Sequence, residues 1–223
     1  MAATLSLSPD ELLTTTRAVR RRLDFERPVP GELVTECVEI ALQAPSGSNA
    51  RSWHFVLVGE EARRHAVAEC YRKAYALYPD MPSSAHSLAH QAKGEEVGVM
   101  KAVARSADAL AENLHRAPWL VIPCVAGRLP ALPEPMGHLA RASQFGSILP
   151  AFWSFMLAAR TRGLGTAWTT LHLLHEEEVA SILGIPYAEV TQCALSPVAF
   201  TQGGDFKPAK NRSSEGVLHI DGW

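Results

Sequence analysis

The chain has no Cys-x-x-Cys pair: its four cysteines, Cys37, Cys70, Cys124 and Cys193, are spread through 223 residues. Cys37, Cys124 and Cys193 have mostly apolar neighbours, which suits reduced, core-filling thiols and a cytoplasmic protein. Long apolar runs are also missing. The greasiest stretch, Ile148 to Ala159, is bounded by Arg141 and Arg160, and it falls short of the roughly 20 residues a membrane-spanning helix needs. The N-terminus, MAATLSLSPDELL, lacks the basic stretch and apolar run of a secretory signal. A formal net charge of −2 gives no global attraction to nucleic acid or an anionic membrane.

Several catalytic signatures are absent as well. Gly163-x-Gly165 lacks the third glycine of a dinucleotide loop, because position 168 is Trp168. There is no Walker sequence and no G-x-S-x-G nucleophile elbow. His86 and His90 could share a helix face, and His172 and His175 precede Glu176, yet neither group has an accompanying ligand pattern, so no metal site is expected. No side-chain nucleophile stands out, which fits chemistry carried by a cofactor.

What is present is a sizeable apolar fraction, 47%, in a length suited to one domain spanning 1–223. Ser8-Pro9-Asp10-Glu11 is a helix start, and the helix is expected to carry Leu12, Leu13, Val19 and Leu23 and run into Arg17, Arg20, Arg21 and Arg22. A second helix is expected over about 31–43, then a polar loop from Ala44 to Ser52, a buried strand from Trp53 to Val58 and an amphipathic helix from Glu60 to Tyr78. Residues 79–100 show no clear period. Further helices are expected over Lys101–His115, Leu139–Arg160 and Glu176–Leu183, with strands over Trp119–Ala126, Thr166–Thr170 and Val190–Phe200. Strands that do not alternate regularly with helices point to an α+β fold.

Three groups of residues could bind a ligand. Arg17, Arg20 and Arg21 would share a helix face, and planar guanidinium forks suit phosphate. The loop Pro45-Ser46-Gly47-Ser48-Asn49 has small side chains and hydroxyls that let backbone approach a flat ligand. Lys210 and Arg212 form a second basic group near the C-terminus. Taken singly, each has a plainer reading: a solvated helix end, an ordinary turn, a solvated tail.

In order, however, four segments resemble the nitroreductase family of flavoproteins: TTRAVRRRLDFERPVP, ALQAPSGSNARSWHFVLV, AARTRGLGTAWTTLH and PAKNRSSEGVLHIDGW. The likeness covers most of the chain apart from residues 71–112. It implies a central, mostly antiparallel sheet flanked by helices, in an intertwined homodimer with FMN at the interface. It also implies a variable lid over 71–112, with Tyr75 and Tyr78 as candidate aromatic walls, and a tail, 203–223, that reaches the partner subunit. By this resemblance Arg17, Ala18 and Arg20 match the phosphate-binding stretch, where Ala18 replaces a serine common in the family and Thr16 an arginine. Pro45, Ser46, Gly47, Ser48 and Asn49 match the loop along the flavin. Trp168, Thr169, Thr170 and Leu171 match the strand end facing its ring, with Thr169 and Thr170 as supporting donors, and Lys210 and Arg212 match the C-terminal basic pair. The implied activity is two-electron transfer from NAD(P)H to a nitroaromatic, quinone, enone or flavin by a ping-pong route. The alternatives are a specialised dehalogenase or dehydrogenase of the same fold, or a flavin-binding protein with little turnover.

Overall fold

A computed structural model describes residues 4–128, 132–209 and 213–223. Helix α1 (Pro9–Thr15) opens with a capping box, in which Ser8 and Glu11 bond each other's backbone N–H. It stops far short of the expected length. Thr14, Thr15 and Thr16 each turn their hydroxyl back onto the carbonyl four residues earlier, and Thr16 is already extended. A run of β-branched residues is a poor helix interior. The chain beyond is not helical: Ala18 bridges Thr166, and Arg20 to Arg22 bend through a turn into β1, so Arg17, Arg20 and Arg21 do not share a helix face.

The sheet runs β1 (Leu23–Asp24), β6 (Ser196–Thr201), β3 (Trp119–Ala126), β2 (Trp53–Val58), with β4 (Leu164–Thr166) on β6 and β5 (Val190–Gln192) on β3. Every pairing between these strands is antiparallel. The single strand expected over 190–200 is therefore two, and Pro123 supplies a reason. Opposite it the partner strand breaks, and the Cys193 N–H reaches the Pro123 carbonyl at 2.9 Å. The N–H and C=O of a strand residue point the same way, so the donor that proline lacks falls on this side. The detour lets Leu195 pair instead with Thr169.

The two faces of β3 feed two cores. Leu120 and Ile122 pack with Val67, Tyr71, Leu110 and Val179, from helices α3 (Glu61–Tyr75), α5 (Glu96–Asn113) and α7 (Glu176–Leu183). Val121, on the other face, packs with Val34, Cys37, Phe152 and Phe155, from α2 (Gly31–Ala41) and the long α6 (Met136–Thr161). The stretch without a clear period holds α4 (Ala85–Gln91), capped by the Ser84 hydroxyl, and the first turn of α5. All four cysteines are buried and unpaired. Burial raises each thiol's pKa, that of Cys37 to about 11 and that of Cys193 to about 12, so none is a ready thiolate. No helix is long and apolar enough to cross a membrane.

Candidate functional site

A cavity of about 300 Å³ opens where α3, α5 and the strand end after β4 converge. Tyr71 and Tyr75, four apart, share one face of α3, and Tyr78 follows in a short 3-10 turn. Their rings line up: Tyr71 and Tyr75 have centroids 6.2 Å apart at 21°, and Tyr75 and Tyr78 are 5.3 Å apart at 32°. Arg20 and the run Trp168, Thr169, Thr170 and Leu171 complete the wall. Phenols, two threonine hydroxyls and one guanidinium thus surround a largely aromatic slot.

Each polar group has its own commitments. The Tyr75 hydroxyl donates to Asp108 at 2.7 Å, and His86 Nε2 meets the same carboxylate oxygen at 2.9 Å. Burial and that carboxylate hold the Tyr75 pKa well above the usual phenol value. The Tyr78 oxygen accepts from the Ala85 N–H at 2.9 Å, fastening the start of α4 to the cavity. Thr169 exchanges both backbone bonds with Leu195, at 2.9 and 2.8 Å, so its N–H is not free to serve a ligand. Its hydroxyl donates to the Tyr71 oxygen at 3.1 Å. Thr170 is exposed and makes no side-chain hydrogen bond among the described residues. Trp168 sets its edge against Phe152, 4.7 Å between centroids.

Arg17 is differently placed. Its guanidinium donates to the carbonyls of Thr14 at 2.6 Å, Thr16 at 2.8 Å and Lys207 at 2.9 Å. It thereby caps the carbonyl end of α1, where a cation is favoured, and ties the tail to it. Arg20 borders the tyrosine cavity and also a neighbouring one of about 290 Å³ that includes Arg21, Asn113 and Arg116.

The loop 45–49 sits apart, on α6. The Gly47 N–H donates to Ser147 Oγ at 3.0 Å, and a Cβ at Gly47 would come within 3.2 Å of the Ser143 and Ser147 hydroxyls. Ser48 and Asn49 adopt positive φ, 52° and 54°, an uncommon state for residues with a side chain. None of Pro45, Ser46, Gly47, Ser48 or Asn49 lines the tyrosine cavity. Lys210 and Arg212 lie outside the described residues. The tail before them is held by Phe206, whose ring lies between the guanidinium groups of Arg22 and Arg160, 4.5 and 4.7 Å from its centroid. Among the described residues no group of three or more His, Cys, Asp or Glu is placed to hold a metal.

The sequence model of the nitroreductase family matches residues 13–196. The chain belongs to the nitroreductase family. The matched span takes in Arg17, Arg20, the loop 45–49 and the strand end 168–171, but stops before the basic tail. Solved nitroreductase-like structures agree in fold. A BluB-like flavoprotein from Clostridium difficile 630 is 18% identical, covering 96% of this chain and 100% of its own, with a TM-score of 0.69. The FMN- and NADPH-dependent nitroreductase NfnB from Sphigopyxis sp. strain HMH is 18% identical over 97% of this chain and 100% of its own, TM-score 0.66. An iodotyrosine deiodinase bound to FMN and 3-iodo-L-tyrosine is 20% identical over 95% and 97%, TM-score 0.64.

Within this nitroreductase fold, two cavity features escape sequence reasoning. Tyr71 and Asp108 lie within 71–112, the stretch that the four resembling segments leave out, although the family model spans it. The spacing of Tyr71, Tyr75 and Tyr78 was the available signal, and a buried helix tyrosine reads most simply as packing.

Proposed function

We propose that this protein is an FMN-dependent oxidoreductase that works as a homodimer and moves two electrons from NAD(P)H to a small acceptor such as a nitroaromatic, quinone, enone or flavin. The observation that carries this reading is the convergence of Arg20 with Trp168, Thr169, Thr170 and Leu171 on one aromatic cavity. A flat heteroaromatic ring would lie along the strand-end wall, its carbonyl oxygens on Arg20 and the threonine hydroxyls, leaving the tyrosine wall to the acceptor. The similar deiodinase binds FMN, and NfnB depends on FMN and NADPH.

The donor set fits FMN. Arg20 would hold ring or ribityl oxygens, Thr169 and Thr170 would offer hydroxyls beside the ring, and Lys210, Arg212 and Arg17 would neutralise the phosphate. Arg17 would first give up carbonyl partners, and Ala18 contributes no side-chain donor. When bound, the flavin supplies reversible storage of a hydride and its two electrons. The protein's part is to orient both substrates in turn at one site, exclude water and place donors.

Three observations support the homodimer. The loop 45–49 is complete but lies outside the cavity of its own chain, as expected if it serves a partner's flavin together with its Pro45, Ser46, Gly47, Ser48 and Asn49. A groove with Leu12, Ile40, Ser154 and Leu157 in its lining lies open between α1, α2 and α6. The tail also leaves Val217, Leu218, Ile220 and Trp223 exposed, an apolar strip suited to a second subunit. We read the chain as one domain, with a lid over 71–112 and a reaching tail, at home in the cytoplasm where its thiols stay reduced.

The test is the visible spectrum of purified protein incubated with FMN, before and after anaerobic addition of NADPH. A retained flavin band that bleaches is the expected result. A flavin that stays oxidised would overturn nicotinamide-driven turnover and favour the specialised or non-catalytic alternatives; no flavin retention would overturn the proposal.

A further inference from the structure

The three cavity phenols differ in where their protons go. Tyr75 donates its hydrogen bond to Asp108, an acceptor it shares with His86. Tyr78 is only half-buried, within reach of water. Tyr71 is 2% exposed, yet it borders the cavity. Its oxygen accepts the Thr169 hydroxyl, and its own proton has no acceptor among the described residues. Were that one bond reversed, the spare proton would sit on Thr169 beside it. Either way the pair holds two protons and uses one. A buried hydroxyl normally finds a partner, so the spare donor is directed at whatever fills the slot. Thr169 also fixes the phenol's position, because its backbone is clamped to Leu195 through two bonds.

We propose that Tyr71 is a catalytic proton donor to the carbonyl oxygen of a flat, conjugated acceptor, a quinone or an enone, which the aligned tyrosines select by stacking. This rests on the flavin-dependent reading above. The bound flavin would supply the hydride, which forms a new bond to the acceptor as its bond to the cofactor breaks. The acceptor's π electrons shift onto its carbonyl oxygen, the Tyr71 O–H bond breaks, and its proton goes to that oxygen. Burial raises the Tyr71 pKa and so keeps the phenol protonated until it donates; the Thr169 hydroxyl and the nearby positive charge of Arg20 partly offset the cost of the tyrosinate left behind, which recovers a proton from solvent. The acceptor gains a hydride and a proton and leaves two electrons richer. A quinone satisfies the donor through its carbonyl and the tyrosines through its ring.

The test compares Tyr71→Phe with the unaltered dimer in two ways. In FMN-loaded, pre-reduced enzyme, reoxidation by menadione is measured against reoxidation by ferricyanide, which takes electrons singly and needs no proton. Because general acid catalysis contributes roughly 10²–10⁴-fold, the menadione-to-ferricyanide ratio is expected to fall by that factor in the variant. An unchanged ratio overturns the proposal. Independently of turnover, the infrared carbonyl stretch of bound benzaldehyde is followed in both proteins. A band lowered in the unaltered protein and restored in Tyr71→Phe supports the donor; the same frequency in both, or no binding, overturns it. This readout stands even if no flavin is retained, so it separates failure of the donor from failure of the cofactor reading. If the variant does not fold, menadione reoxidation of the unaltered enzyme in D₂O decides, and a rate equal to that in H₂O rejects proton donation in the limiting step.

Discussion

The tyrosine cavity and the loop 45–49 make an instructive pair, since both belong to the proposed flavin site and only one is finished within a single chain. The cavity is backed by core: Tyr71, Leu110 and Leu195 pack with both strand and helix residues, and the Thr169–Leu195 bridge locks its floor. The loop is a surface feature, left-handed at Ser48 and Asn49, held by the Gly47 bond to Ser147 on α6 and by bonds within the loop itself. A site half built on rigid core and half offered outward is one that assembly completes.

The largest expected effect comes from blocking assembly. Trp153 on α6 is 39% exposed and Ile40 on α2 is 43% exposed, so Trp153→Glu or Ile40→Glu should spare the monomer's core. A charge at a buried interface anchor costs about 2 kcal/mol or more, so sedimentation should show monomers, and these should no longer retain FMN. Monomers that keep a full complement of FMN would break the contrast, since the loop would then be irrelevant to the flavin.

Next comes the cavity's foundation. His172 follows the strand end, is wholly buried, and neither ring nitrogen has a partner among the described residues. Burial pushes its pKa down to about 4. The unfolded imidazole takes a proton first, so this residue's contribution is intact above its ordinary value near 6.5 and is lost as pH falls towards 4. The loss is about 3 kcal/mol. Urea midpoints at pH 7.5 and 4.5 should therefore diverge more for the native chain than for His172→Leu. Equal divergence would show that His172 does not titrate as a buried group.

Arg20→Ala should weaken FMN binding by roughly tenfold to a hundredfold, as expected for a charged hydrogen bond of about 1.5–3 kcal/mol. Quenching of flavin fluorescence on titration measures it, and an unaltered affinity would move the flavin away from this cavity. Smallest is Ser48→Gly. Removing the side chain from a left-handed residue relieves strain that costs roughly 1–2 kcal/mol, partly offset by glycine's larger entropy loss. Stability should rise by less than about 1 kcal/mol in a thermal melt, with flavin affinity falling if the Ser48 hydroxyl contacts it. A fall in melting temperature would mean that the loop is not strained.

The same contrast runs through what the sequence made legible. The strands Trp53–Val58 and Trp119–Ala126 and the helix Glu176–Leu183 are readable because short apolar runs and caps are local signals. The length of α1 was not, because three threonines compete with the helix through their own hydroxyls. The break between β5 and β6 was not, because its cause, Pro123, sits on another strand. At the site, the strand end and the arginine stretch were recognisable as ordered segments, whereas the joining of Arg20 to Thr169 across one cavity depends on the Ala18–Thr166 bridge. Tyr71 was hidden for a related reason: its value lies in a hydroxyl that meets Thr169, 98 positions away in the chain.

Arg17 holds the end of α1 and the Lys207 carbonyl with the same guanidinium. Any anion that captures this side chain loosens the tail, and by thermodynamic reciprocity any contact that secures the tail elsewhere raises the affinity for that anion. If the proposed phosphate contact of Arg17 forms, ligand uptake and release of the Lys207 carbonyl are two sides of one equilibrium.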